Sequence, residues 1–366
     1  MTTRWDDAGS GGPPDPAVLL ERAIEIVMRV FPGAVPAGGD GPHPVLALPS
    51  AEGARDRFLE VHHRVAPLGW LPMLRAQAGR PVLILVPKPP PGRWAWQTNL
   101  LLVLATMAAT FYAGYEQSRS LVALGFLDSA VAGGIAYSAS VLLILGAHEM
   151  GHKLVALRRG IDASLPYFLP MIPPFGTMGA VIVTRTPAPN RDSLMDLGAS
   201  GPIAGFIAAL PVLVYGVTHS FLIDASRAAE FNAIPDPLLI RGLIRLLLDP
   251  PPTMAVLGHP ALFAGWLGLV VTSINLLPAS MLDGGHAVRA ALGPKAHALL
   301  SYLGVGLAAA MGFYPMAILI ALMLRRGHPG PLDDLSPLSP SRRVVAVALI
   351  AVFAASAVVL QPLFGF

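Results

Sequence analysis

Long apolar blocks alternate with short polar stretches through most of the chain. Blocks at 98–115, 130–157, 194–217, 260–277, 298–324 and 344–360 have about the ~20 residues that cross a bilayer. The block at 298–324 reads in two ways, as one helix kinked near Pro315 or as a tight pair. The first 88 residues follow a different pattern. Helical periodicity runs over 18–31 and 51–65, and short strands are predicted at 45–48, 71–74 and 81–86, the last two flanking the turn Ala78-Gly79-Arg80. Lys88-Pro89-Pro90-Pro91-Gly92-Arg93 then forms a stiff linker, followed by Trp94 and Trp96, residues typical of a membrane interface. The pattern predicts a disordered N-terminus over 1–16, a soluble α+β domain over 17–88 and a polytopic α-helical membrane domain over 94–362 with about six to seven transmembrane helices.

Composition agrees with this division. Of 366 residues, 54% are hydrophobic and 13% charged, about half the charged share of a soluble domain. A net charge of +3 gives no reason to expect nucleic acid, and no P-loop or other nucleotide signature is present. No cleavable signal peptide is visible, so an internal span is expected to target the chain. Lys88, Arg93, Arg158, Arg159, Arg185, Arg191, Arg289 and Lys295 fall on one side if the first four spans alternate. The positive-inside bias makes that side, and the N-terminal domain, cytoplasmic. Arg325, Arg326, Arg342 and Arg343 join it if 298–324 is a pair. The stretch 224–257 then faces outward, and 238–248 reads as a helix lying on the surface.

Inside the second block stands His148-Glu149-Met150-Gly151-His152. Histidines at i and i+4 share a helical face and can ligate one Zn²⁺, with the glutamate between them placed to take a proton from water. Ionisable groups in such a helix are expensive and mark function. With no cysteine in the chain, a third ligand must be His, Asp or Glu. Asp283 is the best candidate. It follows Asn275-Leu276-Leu277-Pro278 at the end of the fourth block, where Pro278 stops the helix and Gly284-Gly285 lets the chain turn sharply or approach the metal. Alternating spans place it at the cytoplasmic depth of the two histidines.

HEMGH followed by Asn-x-x-Pro-x-x-x-Leu-Asp-Gly-Gly resembles the site-2 protease family of zinc intramembrane metalloproteases, of the archaeal, bacterial and chloroplast type with a soluble N-terminal domain. Leu165-Pro166-Tyr167-Phe168-Leu169-Pro170, Phe175-Gly176-Thr177-Met178-Gly179-Ala180, Gly201-Pro202-Ile203-Ala204-Gly205 and His328-Pro329-Gly330-Pro331-Leu332-Asp333-Asp334 extend the likeness over most of the chain from about Gly69. The resemblance implies zinc held by His148, His152 and Asp283, Glu149 as general base, and Asn275 at the substrate carbonyl. It also implies a membrane-associated β-element, for which 180–184 is the strand-like segment, and a transmembrane protein as substrate in the lipid bilayer. Gly205 departs from the pattern, since many relatives carry a polar residue there. Bland readings stand beside these: Asn275 as a helix cap, Gly201 and Gly205 as helix packing, His286 as an interfacial histidine, and His328 without ligand spacing. The competing functions are a membrane zinc transporter and a non-catalytic zinc-binding scaffold. Ionisable groups concentrated at one depth, with Glu149 intact, favour hydrolysis.

Overall fold

The computed structural model describes residues 15–358 except 39–42, 91, 93–95, 232–233 and 326. Trp94, Arg93, Arg326 and the expected disordered stretch up to residue 14 lie outside the described residues. The chain divides into two compact units. One takes Met1–Pro90 together with Leu332–Pro337, the other Pro91–Pro331 with Leu338–Phe366.

In the first unit α1 (Pro16–Val30) starts two residues earlier than its periodicity indicates. The Asp15 side chain accepts a hydrogen bond from the Ala17 N–H at 2.9 Å, and Pro16 sits at the first helical position, where a missing N–H costs nothing. Helix α2 (Ala54–Val65) packs with it over an antiparallel sheet. The sheet contains β1 (Val35–Ala37), β2 (Val45–Ala47), β3 (Trp70–Gln77) and β4 (Arg80–Pro87) in the order β1-β2-β4-β3. Ala78 and Gly79 both have positive φ, the conformation that closes a two-residue hairpin loop. β1 was invisible to patterning because it is a three-residue edge containing Pro36. Segment 332–334 lies beside β3, with Leu74 N–H donating to the Leu332 carbonyl at 2.9 Å.

The second unit is helical. Its helices are α3 (Trp96–Ala123), α4 (Ala130–Arg158), α5 (Arg191–Thr218), α6 (Leu238–Leu247), α7 (Pro260–Asn275), α8 (Asp283–Ala310), α9 (Tyr314–Leu324) and α10 (Pro340–Ser356). By length and composition α3, α4 and α5 can each cross a membrane, while α7 and α9 are shorter apolar helices. Residues 298–324 are a pair. α8 ends at Ala310, Gly312 turns the chain at positive φ, and α9 runs back. α6 keeps Ile240 buried and leaves Leu246 78% exposed, the two-sided character of a surface helix.

Two strand pairs interrupt the helices, the hairpin of β5 (Tyr167–Pro170) with β6 (Thr177–Val181), and β7 (Phe221–Asp224) with β8 (Met254–Leu257) across the connection that contains α6. The strand expected at 180–184 begins three residues sooner. Its register pairs Leu169 with Gly179 and Tyr167 with Val181, then leaves the ladder at Ile182. Extended backbone resumes beyond it, where Val183 N–H donates to Ser164 Oγ. The hairpin lies along α3: Asn99 Nδ2 near the start of that helix donates to the Pro166 carbonyl at 2.8 Å, and Gln117 Nε2 near its end donates to the Pro174 carbonyl at 3.0 Å.

Candidate metal centre

Helix α4 is apolar over most of its length, and Gly133 and Gly134 let it press against α3, Gly134 meeting the Phe111 and Tyr115 backbone. His148 and His152, one turn apart, have ring centroids 5.0 Å apart. Both are buried, as is Glu149 between them.

Asp283 reaches them from the other side of a broken helix. α7 ends at Asn275, and Pro278 cannot continue it. The turn that follows contains Ser280 at φ +49, held by Ser301 Oγ, which accepts from the Ser280 N–H at 2.9 Å, and by the His297 ring against its carbonyl at 3.0 Å. Asp283 is the first residue of α8, where a carboxylate is favoured by the helix dipole. The close approach expected of Gly284 and Gly285 is made to backbone: their missing β-carbons leave room for the carbonyls of Leu276 and Leu277 and of Ala279 and Ser280, not for a metal.

The carboxylate bridges the two rings. Asp283 Oδ2 is 3.2 Å from His148 Nε2, and Oδ1 is 3.3 Å from His152 Nε2. Asn275, half-buried, brings Nδ2 to 3.4 Å from His148 Nε2. His152 Nδ1 faces the Leu197 carbonyl at 2.7 Å, so its proton sits there and Nε2 keeps its lone pair. On α5, Gly198, Gly201 and Gly205 share one face. A β-carbon on Gly201 would overlap the His152 ring, one on Gly205 would stand 3.1 Å from His148 Nδ1, and one on Gly198 2.7 Å from the Asp283 carbonyl. The departure at Gly205 thus has a steric cause, since the backbone of α5 is the wall of the site. The Glu149 carboxylate meets the Ile182 backbone where β6 leaves its ladder.

These residues fit zinc. Tetrahedral zinc with nitrogen and oxygen ligands at about 2.0–2.2 Å sets neighbouring donor atoms roughly 3.3 Å apart. The two ring–carboxylate separations match that spacing, and all three ligand atoms lie within 4.8 Å of one another. Among the described residues no other group of three such side chains is so placed.

The family model of peptidase family M50 matches residues 136–319, which contain the two histidines, the glutamate, the asparagine and the aspartate. The chain belongs to peptidase family M50. This is the site-2 protease family that the motifs resemble. Among its relatives, probable zinc metalloprotease EGY1, chloroplastic, of Arabidopsis thaliana is 34% identical over 243 residues, covering 62% of this chain and 42% of the relative. The rice (Oryza sativa subsp. japonica) protein of the same name is 32% identical over 244 residues, covering 63% and 40%. Probable zinc metalloprotease EGY3, chloroplastic, of Oryza sativa subsp. indica is 29% identical over 241 residues, covering 58% and 40%. The M50 chain therefore spans about two fifths of the length of these relatives. No solved structure matches it significantly.

Sequence reading named the five site positions that the M50 fold brings together. It missed the Leu197 carbonyl, while the reading of Gly201 and Gly205 as helix packing is met by their approach to His152 and His148 of α4. A backbone carbonyl carries no sequence signal. The glycines do carry one, because Gly198, Gly201 and Gly205 at intervals of three and four mark a face that something bulky must approach.

Proposed function

We propose that the chain is a zinc-dependent endopeptidase that cleaves transmembrane or membrane-proximal segments of membrane proteins. The observation that carries this is the convergence of His148, His152 and Asp283 beside Glu149 inside an apolar helical unit. Zinc, when bound by those three residues, supplies Lewis acidity for the scissile carbonyl and for water. Glu149 takes the proton from the attacking water as its oxygen bonds to the carbonyl carbon, then passes that proton to the amine nitrogen as the C–N bond breaks. Asn275 Nδ2 donates to the carbonyl oxygen as negative charge develops on it. A transmembrane helix hides its peptide bonds, so the substrate must unwind. Among the described residues β6 pairs only with β5, and its other edge can take over backbone hydrogen bonds that the substrate gives up.

The same reading gives six or seven membrane passes. α3, α4, α5, α7, the latter part of α8 and α10 cross, while α9, with 11 residues and so about 16 Å long, returns part of the way. Arg158, Arg159, Arg191, Arg289, Arg325, Arg342 and Arg343 collect at the ends nearest the site, which supports a cytoplasmic active site and a cytoplasmic N-terminal domain.

Purified wild type and Glu149→Gln, each with a reporter membrane substrate, test the enzyme. The variant should keep its zinc and lose cleavage by about 10²–10⁴-fold. Cleavage persisting in Glu149→Gln refutes the assigned base. Asp283→Ala should lower bound zinc, and unchanged metal content removes Asp283 from the ligand set.

A further inference from the structure

Asp283 opens a piece of helix that the rest of α8 does not hold. Gly293 interrupts α8 with φ +82 and ψ −174, and Pro294 follows, so 283–292 is a short segment with its own orientation. Ala287 and Ala290 share one buried cluster with Leu194 and Leu197 of α5, and Gly198 of α5 lies against His286 and Ala287. Its polar anchors come from a later loop. His286, one turn beyond Asp283, has Nδ1 2.8 Å from Nε2 of His328, with the rings at 83°. The Gly330 N–H donates to His328 Nδ1 at 2.9 Å. That bond uses the Nδ1 lone pair, so the His328 proton lies on Nε2 and is donated to His286. Burial beside His286, His297 and Arg289 lowers the His328 pKa and agrees with a neutral ring. Gly330, at φ +72, lies directly against the buried Arg289 guanidinium, where a β-carbon would collide.

We propose that His328 is a positioning residue for Asp283, acting through His286 to fix the rotation of the first turn of α8. It orients the carboxylate toward the two histidines without touching the reacting atoms. This rests on the zinc reading of the site.

The test uses the full chain in lipid nanodiscs, with zinc affinity measured by chelator competition and cleavage kinetics on the same samples. His328→Ala should weaken zinc binding and lower kcat by about 10–100-fold, with KM within about threefold. His328→Gln retains an N–H donor at nearly the same reach and should restore both to within about fivefold. His328→Asn, one methylene shorter, should not. In zinc-free protein, the ¹⁵N ring shifts should report His286 with an unprotonated Nδ1 in wild type and in the Gln variant, and a mixture of tautomers in Asn and Ala. Should Ala fail to fold, the contrast between Gln and Asn decides. Zinc affinity unchanged in Ala, or lost equally in Gln and Asn, overturns the proposal while leaving the enzyme intact. A wild-type chain that binds no zinc sinks both readings.

Discussion

The space a β-carbon would need at Gly201 is filled by the His152 ring, and the same ring is pinned from behind by the Leu197 carbonyl. One methyl group there must push either the ring or α5 aside. Gly201→Ala is therefore expected to reduce zinc binding at least ~10-fold and cleavage with it. Gly146→Ala, where the nearest atom is 3.9 Å from the new carbon, should leave both unchanged. Metal titration of the two variants checks this. Equal affinities would mean that α5 yields easily and does not form the wall. His62 offers a second residue-scale effect, in the first unit. It is buried on α2, stacked on Phe58, with Nδ1 lacking a hydrogen-bond partner. Burial, then His63 and Lys88, push its pKa down from 6.5 to about 4. The unfolded chain thus binds the proton first as pH falls. The stability linked to neutral His62 is fully present above pH 6.5 and is lost between 6.5 and 4, amounting to about 2 kcal/mol by pH 5. Protection of the amides in 54–65, corrected for the intrinsic pH dependence of exchange, should fall between pH 7 and 5 in wild type, and that fall should vanish in His62→Leu.

At the scale of elements, β6 carries the proposed substrate edge. Its residues Met178 and Val181 are exposed, Val183 follows, and the strand ends where Ile182 meets Glu149. If the substrate adds to this edge, Val181→Pro and Val183→Asp should slow cleavage of a helical membrane segment by roughly 10-fold or more. A short extended peptide, already unwound, should suffer less. Initial rates on the two substrates decide the matter, and equal rates for wild type and variants on the helical segment would remove β6 from substrate binding. The elements also separate what sequence conveys from what it hides. Apolar blocks located the helices of the second unit, because lipid and core impose the same demand along a whole block. Their polar ends were harder to read: α3 runs on past 115 to Ala123, and α8 starts at Asp283, well before 298. Strand limits were displaced, as at 177–181, because a ladder's register depends on a partner strand and not on local pattern. The pairing of 298–324 was left open for a related reason, since Pro315 signals a break and Gly312, which makes the turn, is only one glycine among 37. Within the site, side chains that act for themselves could be read. His328, whose partner lies 42 residues away, could not be distinguished from a loop histidine until the fold joined them.

For the whole molecule, the first unit is assembled from two distant pieces of chain. Leu332 and Asp333 are buried in it, and Asp333 Oδ1 accepts from the Leu335 and Ser336 N–H groups at 3.0 Å. Immediately afterwards the chain is held by the other unit, where Ser339 N–H donates to Asp192 Oδ1 at 2.8 Å and Arg342 bonds Asp196 in α5. A ribosome delivers the sheet about 240 residues before it delivers the segment that completes it. Through that interval the edge of β3 stays open while the helical unit is made. Completion of the first unit thus waits on synthesis of nearly all of the second. A chain released before Leu332 would carry an uncapped sheet edge, open to pairing with a strand of another molecule.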